Sequence, residues 1–263
     1  MNKNEELDED ELLKKCIICP PVPKALKKYW NNRYNLFSRF DEGIWLDYQS
    51  WYSVTPEKVA VAIAKSVVDF IQPELIIDAF SGCGGNTIQF AKYCPGSFVI
   101  VCYQPYICII SLFINAFVSV ISIEIDPIKI AMAKHNLEIY GIPSSRVTFI
   151  QGDVLDTFKS LQFAKDYRSL VFMSPPWGGP SYSGKTVYSL NDLNPYAFDV
   201  LFKEATRISP YVAAFLPRNT DVKELAAYGS IHNKPYITNF LFEGYAKAIC
   251  CYFNMKGAIA RKI

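Results

Sequence analysis

From residue 55 onward the chain alternates between two rhythms of apolar residues. Val59, Ala62, Ile63, Val67 and Phe70 recur at the three- and four-residue spacing of a helix with one buried face. Ahead of them stand Thr55, Pro56 and Glu57, which suit a helix start: Thr55 as cap, Pro56 in the first turn, Glu57 against the helix dipole. The pattern then changes to short apolar runs at 75–77, 120–123, 147–150, 170–173 and 212–216. Runs with no polar alternation are strands buried on both faces. Helical patterns lie between them at 87–93 and 127–140, the second offering Ile128, Ile130, Ala131, Ala133 and Leu137 for burial. Strand alternating with helix predicts an α/β fold on a mostly parallel sheet. Residues 24–57 read as a small helical N-terminal extension, and 1–23 as a mobile tail ending in Pro20, Pro21 and Pro23. The α/β domain itself is expected over 58–263.

One stretch breaks the rhythm. From Tyr93 to Ile123 there is no charged residue, and 98–117 is mostly apolar, long enough to span a membrane. It sits inside a single strand-helix-strand unit, and a span there would tear the fold apart, so no membrane is expected. Eight cysteines make no zinc pattern. Cys16 and Cys19 form one C-x-x-C, but no second pair follows at finger spacing and His135 and His232 are remote, so no metal is expected. The acidic start lacks the apolar core of a signal peptide, which points to a reducing compartment.

Charge adds little in bulk, since the formal net charge is +2, but its distribution is uneven. Acids crowd the first eleven residues. From Leu12 to Phe40 every charge is positive, and Tyr29, Trp30, Tyr34 and Phe37 are interleaved with the lysines and arginines. That pattern suits either a solvated face or contact with a polyanion.

The polar residues that could do chemistry fall at strand ends: Asp78, Glu124, Asp153 and Ser174. Ligands of open α/β sheets collect there. After Asp78 comes Ala79-Phe80-Ser81-Gly82-Cys83-Gly84-Gly85-Asn86, where Gly82 and Gly84 let backbone approach a ligand and present N–H groups at a helix start. The spacing is neither that of a dinucleotide loop nor that of a P-loop. Glu124 suits a ribose diol and Asp153 an adenine amine, a combination that points to S-adenosylmethionine. Ser174-Pro175-Pro176-Trp177 is the sharpest motif. Two prolines stiffen the backbone, so that the Ser174 hydroxyl and a neighbouring carbonyl can accept hydrogen bonds from an NH₂ group. Trp177 supplies a flat wall for a base.

With these residues in view, the chain resembles the trimethylguanosine synthase family of RNA cap guanine-N2 methyltransferases. The likeness rests on 28–44, on Trp51 to Glu57, on Asp78 to Phe90, on Ser174 to Pro180 and on Phe215 to Asn219. It implies a Rossmann-like class I methyltransferase fold and transfer of methyl groups from S-adenosylmethionine to N2 of the 7-methylguanosine cap of small nuclear and nucleolar RNAs. It implies that Asp78, Glu124 and Asp153 hold the cofactor, with Phe37 and Thr55 beside it. Ser174 would face N2, Trp177 would stack on the cationic base, and Lys28 and Arg218 would meet the cap phosphates. A nuclear home with a cytoplasmic pool is implied too. Two departures stand out: Glu124 replaces the family's Asp, and the segment near 96–118 is extra. That segment is either an insertion or a retained intron translated in frame. The rival readings are another amine methyltransferase, acting on adenine N6 or a glutamine amide, and a cap-binding protein without catalysis.

Overall fold

A computed structural model describes residues 9–16, 20–94, 102–103, 119–162, 168–229, 234–242 and 245–255. Its strands are β1 (Leu75–Asp78), β2 (Cys102–Tyr103), β3 (Val120–Glu124), β4 (Val147–Gln151), β5 (Leu161–Gln162), β6 (Ser169–Met173), β7 (Tyr211–Pro217), β8 (Tyr236–Phe242) and β9 (Tyr245–Phe253). The N-terminal helices are α1 (Glu9–Lys15), α2 (Lys27–Asn31), α3 (Arg33–Leu36) and α4 (Ser50–Ser53). Those of the sheet domain are α5 (Glu57–Ile71), α6 (Gly85–Tyr93), α7 (Pro127–Ile139), α8 (Val154–Ser160), α9 (Phe198–Ile208) and α10 (Val222–Ala227). Among the described residues, seven strands form one sheet in the order β4-β3-β1-β6-β7-β9-β8. The first five are parallel, and β9 and β8 close the far edge antiparallel. The expected α/β class with a mostly parallel sheet is what the chain adopts.

Alternation along the strands sorts two cores. Leu75 and Ile77 of β1 join the core beneath α8, α9 and α10, whereas Ile76 joins the one beneath α5, α6 and α7. The N-terminal extension packs into this second core through Leu26, Phe37, Phe40, Ile44, Leu46 and Trp51, each at most 4% exposed. Fully burying such side chains stabilises by about 1.5–3 kcal/mol apiece. The extension is thus part of the folded body.

Two local expectations are revised. Within the stretch read as a tail, Glu9–Lys15 are helical and Leu12 is buried against the second core. One anchored leucine is enough to seat a short helix, and a charged surround hid it. Thr55 does not cap α5. Pro56, extended at φ −54° and ψ 138°, takes the N-cap position, and the Thr55 hydroxyl instead accepts a hydrogen bond from Asn86 Nδ2 at 3.0 Å.

The uncharged segment near 96–118 lies outside the described residues except for β2, which pairs antiparallel with β5 in a separate two-stranded sheet. Its two ends are held by one residue. The Arg146 guanidinium donates to the carbonyls of Ala91, at 2.8 Å, and Cys94. The Arg146 carbonyl accepts the Ser119 amide at 2.9 Å. Among the described residues no helix is long and apolar enough to cross a membrane.

Candidate active site

The strand order reverses between β1 and β6: from β1 the chain goes out to β3 and β4, then returns to the opposite side. Such a switch opens a crevice at the carboxyl ends of the strands. Asp78 and Ser174 flank it, one ending β1 and the other following β6, with Asp78 paired to Phe172 across the two strands. Glu124 ends β3, and Asp153 lies just past β4.

Asp78 is fully buried. Its Oδ2 accepts from the Thr87 hydroxyl at 2.7 Å, while Oδ1 has no partner. Burial pushes this carboxyl from 3.8 up to about 7, against the lowering pull of the Thr87 hydroxyl and the Phe80 amide and with a small upward push from Glu124. An uncompensated oxygen in a dry site is costly. A donor or cation arriving there would be held strongly.

The loop after Asp78 is built around its glycines. Gly82 and Gly84 stand at φ +53° and +91°, a region that favours glycine. A Cβ on Gly84 would come within 3.1 Å of Ala133 on α7. Glu124 pins the loop: its Oε2 accepts from the Gly82 amide at 2.9 Å, and its Oε1 from the Ile125 and Asp126 amides at 3.0 and 3.1 Å. The replacement of Asp by the longer Glu is therefore accommodated by three backbone donors. Asp153 caps α8 through the Leu155 amide at 2.8 Å and takes the Tyr196 hydroxyl on its other oxygen at 3.0 Å. Its outer oxygen is thus aimed by a tyrosine that no local pattern revealed.

Phe37 and Thr55 reach the same region from the extension. Both are buried, and the nearest atoms to a Cβ built on Gly85 are Val54 Cγ2 at 2.6 Å, the Thr55 carbonyl at 3.6 Å and Phe37 Cζ at 3.9 Å. Only glycine lets the extension lie this close to the start of α6. Asn136, fully buried on α7, fastens the arrangement. Its Oδ1 accepts from the Trp45 amide at 2.8 Å, and its Nδ2 donates to the carbonyls of Trp45 and Cys83, both at 3.0 Å.

Across the crevice, Pro175 is buried and Ser174 and Trp177 are half-buried. The Trp177 ring is wedged by Tyr182, edge-on at 5.2 Å, and by Phe215 at 5.3 Å. Its carbonyl accepts from the Tyr188 hydroxyl at 3.4 Å. Gly178 and Gly179, at φ +84° and +73°, turn the chain sharply after it. Arg218 is exposed and acts electrostatically on Tyr182, lowering its pKa against the larger rise from burial. The 182–188 loop and the loop after β7 are joined: Asn219 donates to the Lys185 carbonyl at 2.7 Å, and the Tyr188 amide to the Asn219 carbonyl at 2.8 Å. Lys28 is exposed on α2, next to Tyr29, which also bears on Tyr182. Asp78, Glu124, Asp153, Ser174 and Arg218 therefore stand at or just past the carboxyl ends of the parallel strands, with Phe37 and Thr55 beside Gly85. Tyr182, Tyr196 and Phe215 are the participants that spacing did not reveal. Among the described residues no group of His, Cys, Asp or Glu is placed to hold a metal ion.

A parallel sheet with acids and a glycine loop at its switch point, facing a Pro-Pro-Trp platform, defines a class: an α/β methyltransferase of nucleobase amines. Comparison narrows it. The family model for RNA cap guanine-N2 methyltransferases matches residues 73–103 and 109–256, with its break inside the uncharged stretch. The chain is 91% identical over 263 residues to the trimethylguanosine synthase of Schizosaccharomyces pombe, covering 100% of both. It is 33% identical over 245 residues to that of Saccharomyces cerevisiae, covering 89% of this chain and 70% of the other. In fold it is similar to a Porphyromonas gingivalis W83 protein classed as a methyltransferase, at TM-score 0.58 and 14% identity, over 95% of this chain and 59% of that one. The chain belongs to the RNA cap guanine-N2 methyltransferase family and is an enzyme of that kind. Neither adenine N6 nor glutamine methylation, nor cap binding without catalysis, is favoured.

Proposed function

We propose that the chain uses S-adenosylmethionine to methylate N2 of the 7-methylguanosine cap of small nuclear and nucleolar RNAs in the nucleus, giving 2,2,7-trimethylguanosine. The observation that carries this is adjacency. The motif suited to an NH₂ group, Ser174-Pro175-Pro176-Trp177, follows the strand hydrogen-bonded to the one that ends in Asp78. Cofactor and acceptor are then held on neighbouring strand ends.

The residues present fit the cofactor. Asp78, whose Oδ1 has no partner, would take the methionine ammonium, Glu124 the ribose diol and the outer oxygen of Asp153 the adenine, with Gly82, Gly84, Phe37 and Thr55 shaping the walls. Bound there, S-adenosylmethionine supplies an electrophilic methyl group on a sulfonium. The chain's part is positioning. Ser174 and the stiff Pro175 backbone would accept hydrogen bonds from the N2 amino group, which turns the nitrogen lone pair toward the methyl group. Trp177, wedged by Tyr182 and Phe215, holds the cationic base flat. Lys28 and Arg218 take the phosphates. Each of the two transfers would form one N2–C bond as one S–C bond breaks and would release one N2 proton to solvent, so no strong base is needed. In-line holding of this kind accounts for up to about 7–11 kcal/mol of barrier.

Labelled methyl transfer to capped RNA, with free 7-methylguanosine triphosphate as competitor, tests the reading. Label should enter capped RNA alone and be competed away. Transfer to uncapped RNA, or none under any condition, would overturn it.

A further inference from the structure

Three tyrosines stand side by side on the N-terminal extension. The rings of Tyr29 and Tyr52 lie 6.4 Å apart at 53°, and those of Tyr52 and Tyr48 lie 6.2 Å apart, edge to face. Tyr29 belongs to α2 and Tyr52 to α4, while Tyr48 lies on the turn before α4. The first two are half-buried and Tyr48 is 48% exposed. At its inner end the row meets the loop of the Pro-Pro-Trp motif. Tyr52's helix α4 packs against the turn Gly179–Gly184, which carries Tyr182, the ring that wedges Trp177.

The basic block beside this row divides in two. Arg33 is taken up by Asp41 at 3.6 Å and by the Tyr34 hydroxyl at 2.7 Å, and Arg39 by Glu42. Lys24 and Lys27 are exposed and make no ion pair among the described residues. They lie within a turn or two of Tyr29. A line of partly exposed aromatic rings flanked by exposed lysines suits single-stranded nucleic acid: bases stack on rings, and phosphates meet ammonium groups.

Taking the cap reading as its starting point, we infer that Tyr29, Tyr52 and Tyr48, with Lys24 and Lys27, hold the first transcribed nucleotides of the substrate RNA. The row runs outward from the cap loop, so the chain leaving the cap phosphates meets it next. The enzyme then reads the presence of an RNA body as well as the cap, although stacking carries little sequence preference.

The test compares affinity for 7-methylguanosine triphosphate with that for a capped RNA of about ten nucleotides, roughly the span of a single-strand groove. The full chain, Tyr48→Ala, Tyr48→Phe and the double variant Lys24→Ala/Lys27→Ala are used. Wild type should bind the capped RNA more tightly than the cap nucleotide. Tyr48→Ala should lose about fivefold or more of the RNA affinity, with the cap nucleotide unaffected and Tyr48→Phe close to wild type. The lysine variant should lower the salt slope for RNA by about 1.4, the amount for two single-strand phosphate contacts. Equal affinity of wild type for both ligands would overturn the inference, as would variants that weaken both ligands alike. A wild type that binds neither ligand would instead bring down the cap reading itself.

Discussion

Replacing Asp78 with asparagine and lowering the pH through 7 should do the same thing to cofactor binding. Both remove a buried negative charge whose Oδ1 has no protein partner. Burial pushes this carboxyl up to about 7. Such a group is about nine-tenths charged one pH unit above that value and about one-tenth charged one unit below. If the bound methionine ammonium requires the carboxylate, affinity for S-adenosylhomocysteine rises roughly tenfold between about pH 6 and pH 8, and binding at the acid end releases a proton. The ligand-free fold responds with the opposite sign. A carboxyl raised from 3.8 to about 7 contributes stability that is fully present below 3.8 and is lost as the pH rises through about 7. That span corresponds to about 4 kcal/mol as an upper figure, so Asp78→Asn should melt higher than wild type at about pH 8. Titration calorimetry of both proteins across this range, in two buffers of different ionisation heat, reads affinity and proton release together. A wild-type affinity flat in pH, or an Asp78→Asn protein that keeps the wild-type profile, would refute the reasoning. Loss of cap affinity with cofactor affinity intact would mean that the two sites are exchanged.

Trp177→Ala should abolish methyl transfer while leaving S-adenosylhomocysteine affinity nearly intact, because a lost base stack costs about 1–3 kcal/mol of cap affinity and a misplaced amine costs more in rate; wild-type turnover would contradict this. Gly84→Ala should cost more stability than Gly82→Ala. Both positions have positive φ, but only the Gly84 Cβ meets Ala133, at 3.1 Å. Overpacking of this kind costs about 1–3 kcal/mol, and equal melting temperatures would count against the packing described. Deleting 96–118 should leave the protein folded and active, because Arg146 already binds both Cys94 and Ser119. Solubility, melting temperature and label transfer of the two forms decide it, and an insoluble deletion beside a soluble full chain would show the segment to be structural.

Much of the candidate site was legible because parallel α/β sheets put their polar residues at strand ends. Asp78, Glu124, Asp153 and Ser174 each follow a short apolar run, and that position alone marked them. The glycine loop was legible for the same reason, as a break between a strand and a helix. What could not be read was whatever depends on distant segments meeting. Tyr196 reaches Asp153 from 43 residues away, and Phe215 reaches Trp177 across the sheet. The Thr55 hydroxyl found Asn86 rather than the helix end beside it, because tertiary contact outbid a local cap. Leu12 lies among acids and lysines, where no apolar period could announce that it is buried.

The central claim is that the acceptor is N2 of a cap guanine already methylated at N7. The direct measurement is the identity of the product nucleoside. RNA bearing a 7-methylguanosine cap, and the same RNA with an unmethylated guanosine cap, are each incubated with the full chain and S-adenosylmethionine. Both are then digested to nucleosides and weighed by mass spectrometry. The account predicts 2,2,7-trimethylguanosine from the first RNA and no methylated cap from the second, because Trp177 needs the cationic base. Methyl groups on internal adenines, or equal methylation of both caps, would contradict it.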